Sequence, residues 1–396
     1  MQAVSLTAYT ATSCLGQGLA EHTRALRTSH SGLTPCRFET VDLPTWIGEV
    51  PGVDAVALPE ALSAFDCRNH RLAWMGLQQD GFAERVREAV ARHGADRVGV
   101  FVGTSTSGIL QTELAYRERD PATGALPAWF HYDTTHNTGS VSAFVRAAFG
   151  LQGMAMALSS ACSSSAKVFA AAARQLAAGT IDAAVVGGVD SLCLTTLYGF
   201  ASLQLTSAEP CRPSDARRDG ISIGEAAAFA LLERDGAPAA VRLLGVGESS
   251  DAHHMSAPHP QGLGARRAME AALRSAGLRA DQIGYINLHG TATPANDAAE
   301  GLAVAALFGR GAPCSSIKGA TGHTLGAAGA LEAVACAVAL REGWIPGSPG
   351  TRELDPALDL DYRLDGAPAP GLRYALSNSF GFGGSNCSLV FGRGQP

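Results

Sequence analysis

Residues 153–179 have the sequence GMAMALSSACSSSAKVFAAAARQLAAG, and this stretch decides the fold class. It opens with an apolar run over 154–158 whose length is typical of a buried strand. Small residues then lead to Cys162, and helix-forming residues follow from Ser163 until Gly179, a typical helix terminator. A strand, a tight turn and a helix in this order place Cys162 on the turn, near the helix N-terminus.

Cys162 is the first candidate for catalysis. Free backbone N–H groups and the helix dipole stabilise an anion at a helix N-terminus, and such a setting lowers the pKa of a thiol from about 8.5 toward neutrality. The neighbouring side chains are too small to block a substrate. The alternative is a small cysteine buried in the core, the commoner fate of a free cysteine, and this stretch alone leaves both interpretations open.

The composition is that of a large globular protein. The chain has 396 residues, of which 46% are hydrophobic and 17% charged, enough for one large or two ordinary domains. The net charge of −6 argues against a nucleic-acid binder, and no run of ~18 apolar residues predicts a membrane span. Nine cysteines without a CxxC pair argue against a zinc or thioredoxin-like site. With no visible signal peptide, we expect a soluble protein of a reducing cytoplasm.

The chain contains a weak internal repeat. In the first part, strand 98–102, a Gly/Thr loop and the Cys162 unit are followed by strand 183–189. In the second part, strand 283–288 and another Gly/Thr loop precede the sequence KGATGH, an alanine-rich helix and strands around 375–391. This similarity of pattern predicts two α/β halves of one duplicated fold, and strands that alternate with helices favour parallel pairing.

We place an N-terminal half over residues 1–236 and a C-terminal half over 237–396. Ligands of such sheets bind beyond the carboxyl ends of the strands. Cys162, His289 and the segment 318–323 occupy these positions. All three are therefore expected to face one cleft.

The residues at these strand ends suit acyl-transfer chemistry. Taken singly, each histidine is more typical of a structural or exposed residue. Taken together, Cys162 offers a thiolate that could take up an acyl group as a thioester, and His289 and His323 offer donors for a carbonyl oxygen on which negative charge develops. Lys318 could lower neighbouring pKa values. The glycines of GFGG at 381–384 could supply an oxyanion N–H and a gate, or serve tight turns only.

Five motifs together resemble the β-ketoacyl-acyl carrier protein synthases of the decarboxylating Cys-His-His class. They are SSACSSS around Cys162, RRDGISIGEAAA at 217–228, NLHGTATPANDAAE at 287–300, SIKGATGHTLGAAGALE at 316–332 and NSFGFGGSN at 378–386. The resemblance covers nearly the whole chain, and the joint occurrence of the motifs in this order is highly specific. It implies a thiolase-like α/β fold, with two similar halves in a five-layered αβαβα arrangement.

The resemblance also implies residue roles. Cys162 takes an acyl group from acyl carrier protein, and His289 and His323 stabilise the enolate formed when malonyl carrier protein loses carbon dioxide. Further positions are Lys318, Glu300 and Asp297 in support of this network, Phe382, Gly381 and Gly383 at an oxyanion hole and gate, Thr291 and Thr293 at the phosphopantetheine arm, and Thr106 and Phe200 at the substrate.

The same resemblance sets expectations for cofactors and partners. It implies no metal and no organic cofactor, because decarboxylation itself makes the carbanion and the phosphopantetheine arrives on the carrier protein. The expected partners are acyl carrier protein and a second copy of the chain, with a heterodimer with a chain-length partner left open.

Some positions depart from the commonest members of the class. The cysteine motif begins Ser-Ser-Ala where Asp-Thr-Ala is frequent, and ISIGEAAA replaces the more usual Phe-Val-x-Gly-Glu-Gly-Ala-Gly. Gln204 stands where a basic docking residue is common. These departures favour a specialised member that makes a polyene or another secondary acyl chain over primary fatty-acid synthesis.

Three other functions fit the sequence less well. A non-catalytic chain-length partner normally lacks the nucleophile, whereas Cys162 is present here with both histidines and the lysine. A degradative thiolase would use a second catalytic cysteine near the C-terminus, but Cys387 follows GFGGSN in a strand and is interpreted as a core residue. A carrier-priming synthase with Cys, His and Asn would lack the second histidine.

Two smaller features leave alternatives open. Arg68, His70 and Arg71 form a basic face on a predicted helix, which is either ordinary solvated surface or a docking face for an acidic partner. The loop GTSTSG at 103–108 follows a strand, as phosphate loops do, but it has no lysine and no GxGxxG spacing. A turn that lines a pocket is the favoured interpretation of this loop.

Overall fold

The computed structural model describes residues 1–234 and 236–394, which form a mixed α/β structure. The strands are β1 (Val4–Ser13), β2 (Gly16–Gln17), β3 (Thr34–Pro35), β4 (Trp46–Gly48), β5 (Val98–Gly103), β6 (Ala155–Leu158), β7 (Ala183–Asp190), β8 (Ile223–Gly224), β9 (Ala226–Arg234), β10 (Val241–Ser250), β11 (Tyr285–Asn287), β12 (Cys314–Ser315), β13 (Trp344–Ile345), β14 (Ala367–Pro368), β15 (Tyr374–Gly381) and β16 (Ser385–Arg393). The helices are α1 (Leu19–Arg27), α2 (Arg68–Leu77), α3 (Phe82–His93), α4 (Ile109–Arg117), α5 (Ser140–Ala148), α6 (Ser164–Ala178), α7 (Leu194–Ser202), α8 (Leu263–Ala276), α9 (Pro294–Phe308), α10 (Lys318–Thr321) and α11 (Ala328–Glu342).

One large sheet carries the repeat. Its strand order is β12-β11-β15-β16-β10-β1-β9-β7-β5-β6, and β2 pairs with β1 off this path. Counted outward from the β1–β10 junction, each side uses its own strands in the order first, fifth, fourth, second, third. The prediction of two similar halves is confirmed by this shared order.

The strand directions differ in part from the prediction. The outer pairs β5–β6, β5–β7, β11–β12 and β11–β15 are parallel, as predicted. The inner pairs from β7 across the junction to β15 are antiparallel. Across the turn at 382–384 the reason is direct, because strands joined by so short a connection run antiparallel.

The helices lie in three layers around the sheet. The central layer holds α6 and α11, which pack between the two sides of the folded sheet. One outer layer contains α2, α3 and α5 over β5, β7 and β9, and the other contains α8 and α9 over β10, β11 and β16. Helices and sheets therefore alternate in five layers.

Small residues allow the central helices to approach closely. Every residue of α11 from Ala328 to Leu340 is buried, and a helix that is apolar on all sides belongs in an interior. A Cβ atom on Gly329 would lie 2.6 Å from the backbone nitrogen of Ala166 on α6. The many alanine and glycine residues of the sequence therefore allow this close contact between α6 and α11.

Several local predictions need correction. The N-terminal strand β1 is ten residues long and lies between β9 and β10, inside the sheet. Its polar second half is accommodated by internal partners, such as the hydrogen bond of Thr10 Oγ1 to Asp80. The run 154–158 was expected to be buried, yet β6 lies at the sheet edge. Helices α4 and α7 were not predicted.

Both interpretations of the predicted basic face on α2 are wrong, because two of its three residues, Arg68 and His70, are buried. Arg68 is buried and donates to both carboxylate oxygens of Glu225, with N–O distances of 2.6 and 3.0 Å. His70 is also buried and stacks on Phe144, with the ring centroids 5.0 Å apart. Burial lowers the pKa of His70 to about 4, so it is a neutral core residue. A single sequence does not show the distant carboxylate and ring that draw these side chains inward.

Candidate active site

Cys162 lies on the turn between β6 and α6, as the strand–turn–helix pattern predicts. The preceding Ala161 has φ +53°, a left-handed conformation that a residue with a Cβ rarely adopts. Such strain persists only where the surrounding structure enforces it, and it concentrates at functional sites. No pattern in the sequence indicates this conformation, because alanine does not favour it.

Both predicted histidines meet Cys162. His323 Nε2 lies 3.1 Å from Cys162 Sγ, and the rings of His289 and His323 stand edge to face with centroids 5.3 Å apart. One ligand-type atom from each of the three residues lies within 4.8 Å of the others, and all three residues are buried. The structure therefore brings together a thiol and two imidazoles from opposite halves of the chain.

Hydrogen bonds fix the tautomers of the two imidazoles. The backbone N–H of Leu325 donates to His323 Nδ1 at 3.2 Å, so that nitrogen carries no proton. The ammonium of Lys318 lies 3.3 Å from His289 Nδ1 and donates in the same way. A neutral imidazole carries one N–H, and in both rings it must be Nε2–H. Two donors thus point into the space beside Cys162.

Lys318 is buried and organises the rear of the site. Its ammonium donates to the carbonyl oxygen of His289 at 2.5 Å and to the carboxylate of Glu332 on α11. Burial raises the pKa of Glu332 to about 7, and the charge of Lys318 opposes this rise. The ion pair fixes the ammonium against His289. Glu332 was not predicted, although it is the last residue of the SIKGATGHTLGAAGALE motif.

Two buried carboxylates hold the loop after β11. Glu300 accepts hydrogen bonds from the backbone N–H groups of His289 and Gly290, both at 2.8 Å. Asp297 accepts one from the N–H of Thr291 at 3.0 Å and another from Ser214. Burial raises the pKa of Glu300 to about 7 against these hydrogen bonds. Both carboxylates act on the backbone and not on the space beside Cys162.

The pKa of the Cys162 thiol in the resting enzyme differs from the prediction. Burial raises the pKa of Cys162 to about 11, outweighing the charge of Lys318 and the backbone N–H of Phe382, which lower it. The predicted fall toward neutrality is therefore wrong for the resting enzyme. Burial first, and then the charge of Lys318, hold the pKa values of His289 and His323 well below the usual range. A thiol faces two neutral imidazoles.

The GFGG segment lies against the nucleophile. The backbone N–H of Phe382 is close enough to Cys162 to lower the pKa of its thiol. A Cβ atom on Gly381 would lie 2.8 Å from the carbonyl oxygen of Ser160 and 3.2 Å from the nitrogen of Cys162, so glycine is needed there for close approach. Gly383 is exposed at φ +79°, a left-handed turn position that favours glycine.

A cavity of about 240 Å³ opens onto Cys162. Phe200 and Phe382 stand on one side, with ring centroids 5.7 Å apart, and Thr291 and Thr293 stand on another. Its remaining lining residues are Leu205, Ile221, Asp251, Ser256, Ala257, Pro258, His289, Pro294, Ala295, Asn296, His323, Phe380, Gly381, Gly384 and Asn386. A wider, open groove of about 1030 Å³ elsewhere includes none of the predicted site residues in its lining.

Asp190 is a residue that the sequence analysis missed. Its carboxylate accepts hydrogen bonds from the N–H groups of Ser105 and Thr106 at 2.8 and 2.7 Å, and from that of Ala327 at 3.0 Å. It therefore ties the loop 103–108 to the segment after His323. A lone aspartate at the end of the apolar run IDAAVVGGVD was the available indication.

The same contacts decide two predictions about this loop. The N–H groups that a phosphate would need are already bound by Asp190, which excludes the phosphate-loop interpretation. The hydroxyl of Thr106 also donates to Asp190, at 2.7 Å, and the residue does not line the described cavity.

Cys387, interpreted as a core residue, is fully buried in β16.

The Cys162–His289–His323 cluster has the atom types of a zinc site but does not suit one. A zinc ion needs the lone pair of each coordinating nitrogen. Coordination at Nε2 would move each ring proton to Nδ1, where it would face Leu325 N–H or the ammonium of Lys318. Since both Nδ1 positions already receive donors, the arrangement opposes metal binding.

The chain is similar to known proteins over most of its length. Its residues 1–237 match the N-terminal domain of β-ketoacyl synthases, and residues 240–352 match the C-terminal domain. The 3-oxoacyl-[acyl-carrier-protein] synthase 2 of Mycobacterium bovis is 34% identical over 385 residues, 90% of this chain and 88% of that protein. Nodulation protein E of Rhizobium meliloti is 36% identical over 305 residues, 74% of this chain and 75% of that protein.

A solved structure is also similar. A ketosynthase of Xenorhabdus doucetiae, determined in complex with its chain length factor, is 37% identical with a TM-score of 0.90, covering 99% of this chain and 98% of that one. Among the described residues, no helix is both long and apolar enough to span a membrane. The predicted fold class and enzyme class are confirmed. The chain belongs to the β-ketoacyl synthase family, the condensing enzymes of the acyltransferase class with a thiolase-like fold.

Proposed function

We propose that this protein is a 3-oxoacyl-acyl carrier protein synthase in which Cys162 carries the growing chain. One observation carries the proposal: a buried thiol faces two imidazoles whose Nε2–H groups are held toward it. A nucleophile beside two fixed neutral donors suits a reaction in which a thioester forms and an enolate then develops next to it.

The first step is acyl transfer to the enzyme. Cys162 Sγ attacks the thioester carbonyl of acyl-acyl carrier protein, and the N–H groups of Cys162 and Phe382 receive the oxyanion. The tetrahedral intermediate collapses to acyl-Cys162 and the phosphopantetheine thiolate. That thiolate takes the proton of the Cys162 thiol, so the carrier protein leaves as a free thiol. Because burial raises the resting pKa of Cys162 to about 11, the thiol gives up its proton during this transfer and not before the substrate arrives.

The second step is decarboxylative condensation. The thioester oxygen of malonyl-acyl carrier protein accepts the Nε2–H groups of His289 and His323. The carbon–carboxylate bond breaks, carbon dioxide leaves, and its electron pair forms an enolate on that oxygen. The enolate carbon attacks the acyl-Cys162 carbonyl and expels the Cys162 thiolate, which takes up one proton from water and returns to the resting thiol. The products are 3-oxoacyl-acyl carrier protein and carbon dioxide.

Other residues support this reaction, either by holding His289 in place or by lining the entrance to the cavity. Lys318, with Glu332, holds His289 in its donor form, and Glu300 and Asp297 hold the loop that presents it. Phe382, between Gly381 and Gly383, is the gate. Thr291 and Thr293 meet the phosphopantetheine arm, and Phe200 lies against Phe382 in the cavity wall. These two steps need no metal and no organic cofactor.

We propose acyl carrier protein and a second ketosynthase-type subunit as partners. The edge strand β6 has a neighbour on one side only, and Met154 and Met156 at this edge are 41% and 37% exposed. An open edge with exposed apolar side chains is typical of an interface. A second copy is the proposed occupant. A chain-length partner is the other outcome, because the Xenorhabdus ketosynthase was solved with its chain length factor.

A specialised product and a reducing cytoplasm complete the proposal. The departures from the commonest motifs, such as Gln204 in place of a basic docking residue, favour a secondary acyl chain such as a polyene. All nine cysteines are free thiols, and free thiols persist in reducing compartments.

Intact mass tests the proposal. The protein is mixed with a panel of acyl-acyl carrier proteins, with Cys162→Ala as the control. A mass gain of one acyl group in the wild type, absent from the variant, is expected and shows which chain is preferred. A wild type that never acylates, yet co-purifies with an active synthase, would overturn it in favour of a non-catalytic chain-length subunit.

A further inference from the structure

Lys167 is a charged residue that the reaction above does not use. The sequence contains two lysines, and the other, Lys318, belongs to the site already described. Lys167 lies on α6, five residues after Cys162, and its ammonium donates to Ser385 Oγ at 2.6 Å. In the part of the chain that the structure describes, this ammonium forms no ion pair, so Ser385 is the polar group that it holds.

Ser385 is the first residue of β16 and directly follows the turn 382–384. It pairs with Gly381 in the register of β15 and β16, and the turn 382–384 between them carries Phe382. Ser385 is thus at the base of the hairpin whose tip is the gate. On its other side, the tip is bound by Met255, whose carbonyl oxygen accepts the N–H of Gly383 at 2.7 Å.

Lys167 and Cys162 belong to one rigid segment. Since Cys162 immediately precedes α6 and Lys167 lies within it, the bond to Ser385 ties the base of the gate to the helix of the nucleophile. A hydrogen bond from a charged donor is stronger than one between neutral groups. The bond therefore restricts movement of the hairpin base relative to Cys162 Sγ.

We infer that Lys167 is a positioning residue that keeps the gate closed over Cys162 and the N–H of Phe382 at the oxyanion position. The inference rests on the proposed function for the assignment of gate and oxyanion hole. Loss of the bond lets the hairpin base shift, so that Cys162 becomes more accessible and the oxyanion donor less well placed. Helix α6 stays anchored without it, because Phe169 packs on Phe391 of β16.

Alkylation of Cys162 by iodoacetamide tests the inference. The site is identified by peptide mass, because the chain has nine cysteines. We expect Cys162 in Lys167→Met and in Ser385→Ala to react about tenfold faster than in the wild type, the size expected for loss of a hydrogen bond to a charged group. The double variant should react no faster than either single variant, since both remove the same bond.

Arg174→Met is the matched control. Arg174 lies on the same helix seven residues further on, and its ion pair at 2.8 Å is with Glu248 of β10 and not with a residue of the 381–385 hairpin. Its variant should react within twofold of the wild type. In steady-state condensation, Lys167→Met should lower kcat with KM for the carrier substrate unchanged, whereas Lys167→Arg, which keeps a charged donor, should recover most of kcat.

The outcomes separate this inference from the proposed function. Alkylation needs no carrier protein, so a gate effect without acylation overturns the proposed function alone. Rates within twofold of the wild type in both single variants, or effects that multiply in the double variant, overturn the role of Lys167. Ser385→Ala removes one hydroxyl only, which keeps the test available if Lys167→Met lowers the melting temperature.

Discussion

Replacing Lys318 with methionine is the most informative perturbation of the buried network. The side chain is fully enclosed and contacts Glu332, the carbonyl oxygen of His289 and His289 Nδ1. Methionine has a similar length and no charge. The substitution therefore leaves the packing nearly intact but removes the cation that faces a buried carboxyl.

The magnitude follows from the pKa of Glu332. Burial raises it to about 7 even with Lys318 present, and removal of the cation raises it further. A carboxyl whose pKa is higher in the folded state than its unfolded value of about 4.3 contributes stability at low pH that is lost as pH rises through the folded pKa. Above pH 7 the variant therefore loses about 1.4 kcal/mol per pH unit relative to the wild type, until its own folded pKa is reached.

The expected deficit depends on pH accordingly. Near pH 6 the carboxyl is protonated in both proteins, and the loss is about 1–3 kcal/mol for the hydrogen bonds that Lys318 made. Near pH 8.5 it grows to about 3–5 kcal/mol, the cost of leaving one partner of a buried ion pair alone. The measurement is urea-induced unfolding at both pH values, with Lys318→Met/Glu332→Gln as the control.

The control variant should regain most of the loss at pH 8.5, because it has no carboxyl to ionise. A deficit in Lys318→Met that is the same at both pH values, or that the second substitution does not relieve, would contradict an ion pair between Lys318 and Glu332. Condensation should fall in both variants, since His289 Nδ1 has lost the donor that keeps Nε2–H toward the substrate.

Three further predictions follow from single contacts. Gly381→Ala should lower the rate of acyl transfer to Cys162, measured by intact mass over time, at least tenfold with a small change in melting temperature. The reason is that the new Cβ meets backbone atoms of the turn that carries Cys162. Transfer at the wild-type rate would show that this turn can move aside. Alkylation of wild-type Cys162 should rise about tenfold per pH unit from pH 7 to 9, because burial raises its pKa to about 11; a plateau below pH 8 would contradict that. Glu300→Gln should slow carbon dioxide release from malonyl carrier protein more than acyl transfer, since an amide cannot accept from both N–H groups of His289 and Gly290; equal slowing of both steps would count against its role in the histidine loop.

The residues that carry the chemistry could be predicted because their local patterns are strong. The strand–turn–helix around Cys162 places the thiol where the structure has it, and His289 and His323 each follow a strand or a glycine-rich turn. The repeat of strand, loop, helix and strand predicted two halves, which share one strand order.

The remaining features depend on contacts between distant parts of the chain. Asp190 acts on loops 84 to 137 residues away, and Arg68 is drawn inward by Glu225, 157 residues along the chain. The pKa of Cys162 is set by burial, which the helix N-terminus alone does not reveal. The left-handed conformation of Ala161 is imposed by its surroundings against its own preference.

A single-turnover experiment tests the central claim most directly. The enzyme is first acylated on Cys162, freed of carrier protein and then mixed with one equivalent of malonyl-acyl carrier protein. We predict that carbon dioxide and 3-oxoacyl carrier protein appear in equal amounts while the acyl mass leaves the enzyme, and that a His289→Ala/His323→Ala variant keeps its acyl group and releases no carbon dioxide. Condensation by that double variant at the wild-type rate, or an acyl-enzyme that never transfers its chain, would contradict the claim.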